Sequence, residues 1–156
     1  MQFGISPQLA RGATALPMGE EWSYEQKYDG FRAIAFVTGA AVQLQSRTGN
    51  DLTRYFPEIE FPAGDYVLDG EIVIDGADGL QDFDALSNRI HPAASRIERL
   101  SVETPARFVA FDLLARDDES LIELPFAERR AALEAFPFAA PVELTPCLRS
   151  AAEADR

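Results

Sequence analysis

The sequence predicts an α+β fold in which antiparallel sheets are flanked by helices. Three observations predict it. Runs with strand-like alternation are joined by short turns, in the manner of hairpins. Strand and helix segments do not alternate strictly, which disfavours a doubly wound parallel sheet. Apolar residues make up 47% of the 156 positions, with 11 phenylalanines, enough to bury a core of one domain or most of a larger one.

Residues 1–21 are rich in Gly, Pro and Ala and form an irregular lead-in with room for one short helical turn. Residues 22–28 form a strand, and Asp29-Gly30 is a turn or bulge signal. A second strand over 31–38, a tight turn at Gly39-Ala40 and a third strand over 42–46 make a hairpin. Thr48-Gly49-Asn50 is a loop. Residues 51–60 hold a short helix whose length Pro57 limits. The clearest strand covers 66–75. Its period of two sets Val67, Asp69, Glu71, Val73 and Asp75 on one face and Tyr66, Leu68, Ile72 and Ile74 on the other, with Gly70 between. A turn at 76–79 follows. Two helical segments, 82–90 and 92–100, are split at His91-Pro92. Residues 107–115 form an apolar strand. Pro125 opens a helix whose wet face carries Glu128, Arg129, Arg130 and Glu134. A last strand spans 142–148, and a helix starts at 151.

Composition excludes several functions. A net charge of −12 argues against nucleic-acid binding by the bulk electrostatics of this piece alone. The one cysteine, Cys147, excludes an internal disulfide and a cysteine-based zinc site, and suits a reducing cytoplasm. No apolar run approaches the ~20 residues needed to span a bilayer, so no membrane association is expected. No phosphate-binding glycine loop and no dinucleotide fingerprint is present. His91 is the sole histidine and sits at a helix break, so a histidine-based triad or metal site has little support.

One residue type is conspicuous by its count. The chain has thirteen arginines and one lysine, Lys27. An amine can shed its proton and attack an electrophile; a guanidinium cannot. If the strand continues far enough, Glu25, Lys27 and Asp29 share a face. Two carboxylates favour the charged ammonium, which is wrong for a nucleophile unless desolvation, a divalent cation, or Arg32 and Arg47 offset them. Asp69 and Glu71, side by side on their strand, suit a hard cation or ribose hydroxyls. In the run 108–114, a phenylalanine can stack on a nucleobase. Each of these features also has a plain reading, as a surface ion pair, a solvated sheet face or a core strand.

Taken together, the pieces resemble the adenylation domain of ATP-dependent DNA ligases, within the lysine nucleotidyltransferase superfamily. The family's first motif, Lys-x-Asp-Gly-x-Arg, reads Lys27-Tyr28-Asp29-Gly30-Phe31-Arg32. Its Ser-Arg element reads Ser46-Arg47, its third motif Leu68-Asp69-Gly70-Glu71-Ile72-Val73, and the next Phe108-Val109-Ala110-Phe111-Asp112-Leu113-Leu114. Phe83-Asp84-Ala85-Leu86 and Arg89-Ile90-His91-Pro92 look like the bacterial, repair-type members. Each motif is weak alone; four in order are strong, and they cover nearly the whole chain.

The resemblance implies that Lys27 attacks the α-phosphate of ATP, forms lysyl-AMP and releases pyrophosphate. The AMP then passes to a 5′-phosphate at a nick in double-stranded DNA, and the 3′-hydroxyl seals the strand. It places Glu25 near the adenine amino edge, Asp29 in the nucleotide site, and Arg32 and Arg47 near ribose or phosphates. Glu71 goes near the ribose or a Mg²⁺ or other divalent cation, and Phe111 against the adenine. It also implies a later Glu-Gly strand, a Lys-x-Lys strand and an OB-type domain. None is found in these 156 residues, so 22–156 is expected to be the N-terminal part of an adenylation domain. The full-length enzyme would bind the nicked DNA, and a C-terminal polypeptide could complement this piece at exposed sheet edges. An RNA ligase or capping-type enzyme, or a non-catalytic remnant that binds nucleotide or a partner chain, stays open.

Overall fold

The computed structural model describes residues 1–155. Its centre is a six-stranded sheet with the neighbours β3 (Ala41–Ser46), β2 (Phe31–Gly39), β4 (Gly64–Val73), β5 (Arg107–Arg116) and β6 (Glu119–Ser120); β7 (Val142–Leu144) also pairs with β5. All these pairings are antiparallel except β5 with β7, which is parallel. A separate two-stranded sheet joins β1 (Tyr24–Glu25) to β8 (Cys147–Leu148). The expected α+β architecture is present, with one parallel pair in an otherwise antiparallel arrangement.

The hairpin, the long strand and the apolar strand form where alternation placed them. Three expectations need correction. The strand over 22–28 shrinks to Tyr24–Glu25, because β8 offers only Leu148 and Cys147 as partners and residues 26–30 run on without a ladder. The helix over 51–60 is a 3-10 turn, Thr53–Tyr55. The last strand breaks in two at Thr145-Pro146, and its halves join different sheets. The helices α2 (Ala94–Glu103) and α3 (Phe126–Glu134) fall in the expected segments, α1 (Phe83–Ser87) is shorter than the expected 82–90, and α4 (Ala151–Ala154) is short. The Asp82 carboxylate caps α1 by accepting from the Ala85 N–H. His91 accepts from the Ala93 N–H through Nδ1 at the entrance to α2, a local structural role.

The sheet buries both faces. On one, Ala33, Ala35, Leu68, Ile72, Phe108 and Leu113 pack against Phe56, Ile59, Leu86, Leu133 and Phe136. Each such large side chain contributes about 1.5–3 kcal/mol relative to exposure. The other face carries Ile34, Phe36, Val67 and Ala115, and the lead-in covers it with Phe3 and Ile5. That segment has no helical turn, but it is tied down. The buried Gln45 amide accepts from the Gly4 N–H and donates to the Ile5 carbonyl at 2.6 Å.

Candidate active site

One cleft of about 760 Å³ opens on the sheet face that the lead-in only partly covers. Its floor is set by strand register. Arg32 lies opposite Glu71 and Ile34 opposite Asp69 across β2 and β4, so Arg32, Glu71 and Asp69 emerge on one side. Between β4 and β5 the pairing slips: Asp69 faces Asp112, but the next residue, Gly70, faces Ala110. Phe111 is the extra residue of this β-bulge. Without the bulge, Asp112 would follow Phe108 and Ala110 into the core. With it, Phe111 and Asp112 both line the cleft, and Leu113 takes the core position instead.

Two glycines of the motifs are there for space. A Cβ on Gly30 would run into the Ile72 carbonyl, and one on Gly70 would run into the Val109 carbonyl and the Phe108 ring. Only glycine lets the strands close at these two points.

The side chains on the floor are mutually engaged. Arg32 grips Asp69 in a two-pronged contact, Nε to Oδ1 and Nη2 to Oδ2, each at 2.7 Å. The same guanidinium lies over the Phe111 ring, 4.9 Å from its centroid. Arg129 from α3 holds Asp112 at 2.9 and 3.1 Å. Glu25 accepts from Arg130 at 3.3 Å. Burial pushes the Glu71 carboxyl above its ordinary value; the Gly30 N–H and the charges of Arg32 and Lys27 oppose it. Burial also raises Glu25, with Arg130 opposing and Asp112 adding, and it raises Asp69 against the pull of Arg32.

The cleft is locally balanced despite the acidity of the chain. Four carboxylates, Glu25, Asp69, Glu71 and Asp112, face four cations, Lys27, Arg32, Arg47 and Arg129. Arg32 and Arg129 are paired with Asp69 and Asp112. Among the described residues, Lys27 and Arg47 make no close ion pair, and both are exposed at the cleft. The arrangement can bind an anion at its mouth and a flat ring on Phe111.

Six of the seven residues picked from the sequence, Glu25, Lys27, Arg32, Arg47, Glu71 and Phe111, line this cleft. Asp29 does not. The strand that would have aligned it with Lys27 has ended, and it sits exposed in the turn, where its N–H donates to the Gln81 side chain. Sequence reasoning missed Asp112, Arg129 and Arg130. The two arginines looked like a wet helix face, yet Arg130 is 4% exposed. For a cation, the described residues offer no cluster of three or more ligating side chains.

The chain is similar to known proteins of one family. The model of the ATP dependent DNA ligase domain matches residues 7–144. DNA ligase C2 of Mycolicibacterium smegmatis is 51% identical over 136 residues, 83% of this chain and 37% of that protein. DNA ligase C of Mycobacterium tuberculosis is 51% identical over 135 residues, with the same shares. A solved structure of mycobacterial DNA ligase D complexed with ATP and MES superposes with a TM-score of 0.65 at 30% identity, covering 81% of this chain and 40% of that one. The chain thus spans well under half the length of these relatives.

Proposed function

The chain belongs to the ATP-dependent DNA ligase domain family, and on that premise we propose that its cleft binds ATP and that Lys27 becomes adenylated. The ε-amine attacks the α-phosphorus, a nitrogen–phosphorus bond forms, and the bond to the bridging oxygen breaks with pyrophosphate leaving. The longer protein passes the AMP to the 5′-phosphate of nicked double-stranded DNA, where the 3′-hydroxyl displaces it. The single observation that carries this reading is the shared cleft: the chain's one lysine opens onto the same space as Glu71, Arg47 and Phe111.

The residues divide the work by chemistry. Phe111 offers a ring for the base to stack on. Glu25 is an acceptor at the base end, suited to an exocyclic amino group. Among the described residues Lys27 and Arg47 are the cleft cations that make no close ion pair, and they meet the phosphates. Arg32 is pinned by Asp69 and backs Phe111, so it orders the floor as well as offering donors to the ribose. Asp29 acts from the turn that precedes Arg32 and makes no direct contact in the cleft.

Glu71 is the residue that would hold a Mg²⁺, because Asp69 and Asp112 are held by arginines. Bound there, it neutralises phosphate charge. Among the described residues no helix is long and apolar enough to cross a membrane, and the lone half-buried Cys147 accords with a cytoplasmic setting. Partners are nicked DNA, through the longer protein, and a polypeptide that supplies the remaining motifs.

Incubation with ATP labelled at the α-phosphate and Mg²⁺ tests the reading. Label is expected on the longer protein that carries the Lys-x-Lys strand, weak or absent on these 156 residues alone, and absent from Lys27→Ala in either form. Label retained by Lys27→Ala sinks it. Sealing of nicked DNA rather than nicked RNA by the longer protein separates DNA ligase from the RNA-ligase and capping-type alternatives.

A further inference from the structure

Residues 26–30 carry Lys27 and have no ladder to hold them, yet both flanks are fastened to one buried point. That point is Arg130 on α3 and Thr145, at the break between β7 and β8. Arg130 is 4% exposed and Thr145 is fully buried. The three nitrogens of Arg130 each donate to a different acceptor: Nε to Glu134 at 2.9 Å, Nη1 to Glu25 at 3.3 Å, and Nη2 to the Thr145 carbonyl at 2.8 Å. The Thr145 hydroxyl in turn meets the Tyr28 hydroxyl at 3.1 Å. Glu25 precedes Lys27 by two residues and Tyr28 follows it by one. Arg130 does not line the cleft.

We propose that Arg130 is a positioning residue for base selection. It fixes the Glu25 carboxylate as an acceptor at the base end of the cleft, so that an amino-purine is preferred to an oxo-purine by a guanidinium that touches neither. Adenine presents an amino donor where guanine presents a carbonyl acceptor. A fixed carboxylate attracts the first and repels the second. A carboxylate free to swing, or one replaced by an amide that can rotate to donate, loses that preference. Lysine cannot substitute, because a single ammonium cannot span three acceptors in the plane of a fork. The inference rests on the proposed placement of the base at Glu25.

Isothermal titration of the full chain with ATP and with GTP reads the preference directly. The wild type is expected to bind ATP at least about tenfold more tightly than GTP, the size of one hydrogen bond to a charged group. Arg130→Gln and Glu25→Gln should each bring the ratio to within about threefold, and the double variant should lose no more than either alone, because the two residues act as one unit. Glu134→Gln, which removes the exposed partner of Arg130, should keep the wild-type ratio. A folded Arg130→Gln that still discriminates as the wild type overturns the inference and leaves the nucleotide reading intact. Where Arg130→Gln does not fold, Arg130→Lys is read the same way. A wild-type chain that binds neither nucleotide overturns the nucleotide reading, and the inference with it.

Discussion

Glu58→Ala is expected to be among the most destabilising single substitutions in this chain. The Arg89 guanidinium is fully buried, above the Phe56 ring at 5.1 Å. It makes two bonds to the Glu58 carboxylate, at 2.6 and 2.8 Å, and one each to the carbonyls of Thr104 and Tyr55, at 2.9 and 2.8 Å. Removing the carboxylate leaves a charge without a counter-ion in the interior. It also strips the Ala106 N–H of its acceptor, the same Glu58 oxygen at 2.8 Å. Breaking a buried pair from one side costs about 3–5 kcal/mol, against a total stability of about 5–15 kcal/mol. For a chain of this length each kcal/mol moves the midpoint by about 2–4 °C, so a fall of roughly 6–20 °C is expected by circular dichroism. The double variant Arg89→Met with Glu58→Leu should recover part of that loss, since it removes both charges and keeps the volume filled but leaves the Ala106 N–H and the Thr104 and Tyr55 carbonyls without their partners. A Glu58→Ala melt within about 2 °C of wild type would refute the assignment of Arg89 as a buried, dependent charge.

Two further outcomes are open to direct measurement. Phe111→Ala should weaken ATP binding by about 5- to 150-fold, the worth of one stacking contact at about 1–3 kcal/mol; the half-buried ring should cost the fold little, and titration with an unchanged melt would check both. Glu25 and Glu71 have folded-state values raised above their ordinary 4.5, so the folded chain holds more protons than the unfolded one just above that value. Stability in that window therefore rises as pH falls. Melts from about pH 7 to about pH 5 should climb, and the climb should be shallower in Glu25→Gln and Glu71→Gln; equal slopes would contradict the burial of these groups. Asp75, lowered mainly by its bond to Arg107, loses its contribution only at more acid pH, below this range.

Much of this site was legible because alternation along a strand is a strict rule. The period of two in 66–75 correctly put Asp69 and Glu71 on one face and Leu68 and Ile72 on the other. The same rule failed at 107–115, because a bulge adds a residue without leaving a mark in the apolar pattern. Asp112 therefore moved from an apparent core position into the cleft. It failed again at Lys27, where strand propensity had no partner to act on: β8 ends after two residues. The arginines of α3 were misplaced for a different reason. A charged residue on a helix is normally a solvated one, and only Glu134 one turn on together with the tertiary neighbours Glu25 and the Thr145 carbonyl make the buried Arg130 guanidinium tenable. The lead-in has no periodicity, so nothing in its composition announced that Gln45 would clamp it or that it would wall the cleft.

The irregular step at Phe111 has one more implication. Because the strand gains a residue there, the two sides of β5 are no longer locked in a one-to-one count. Residues 108, 110 and 113 answer to the hydrophobic interior, while 111 and 112 answer to the opening and to the arginines that back it, Arg32 and Arg129. An engineer could therefore vary the ring alone to accept a different flat ligand, leaving the core side of β5 untouched and Asp112 tied to Arg129. Deleting Phe111 would remove the extra residue: the ladder would zip one to one, Leu113 would keep its core place, and Asp112 would take over the cleft position with the stacking ring lost.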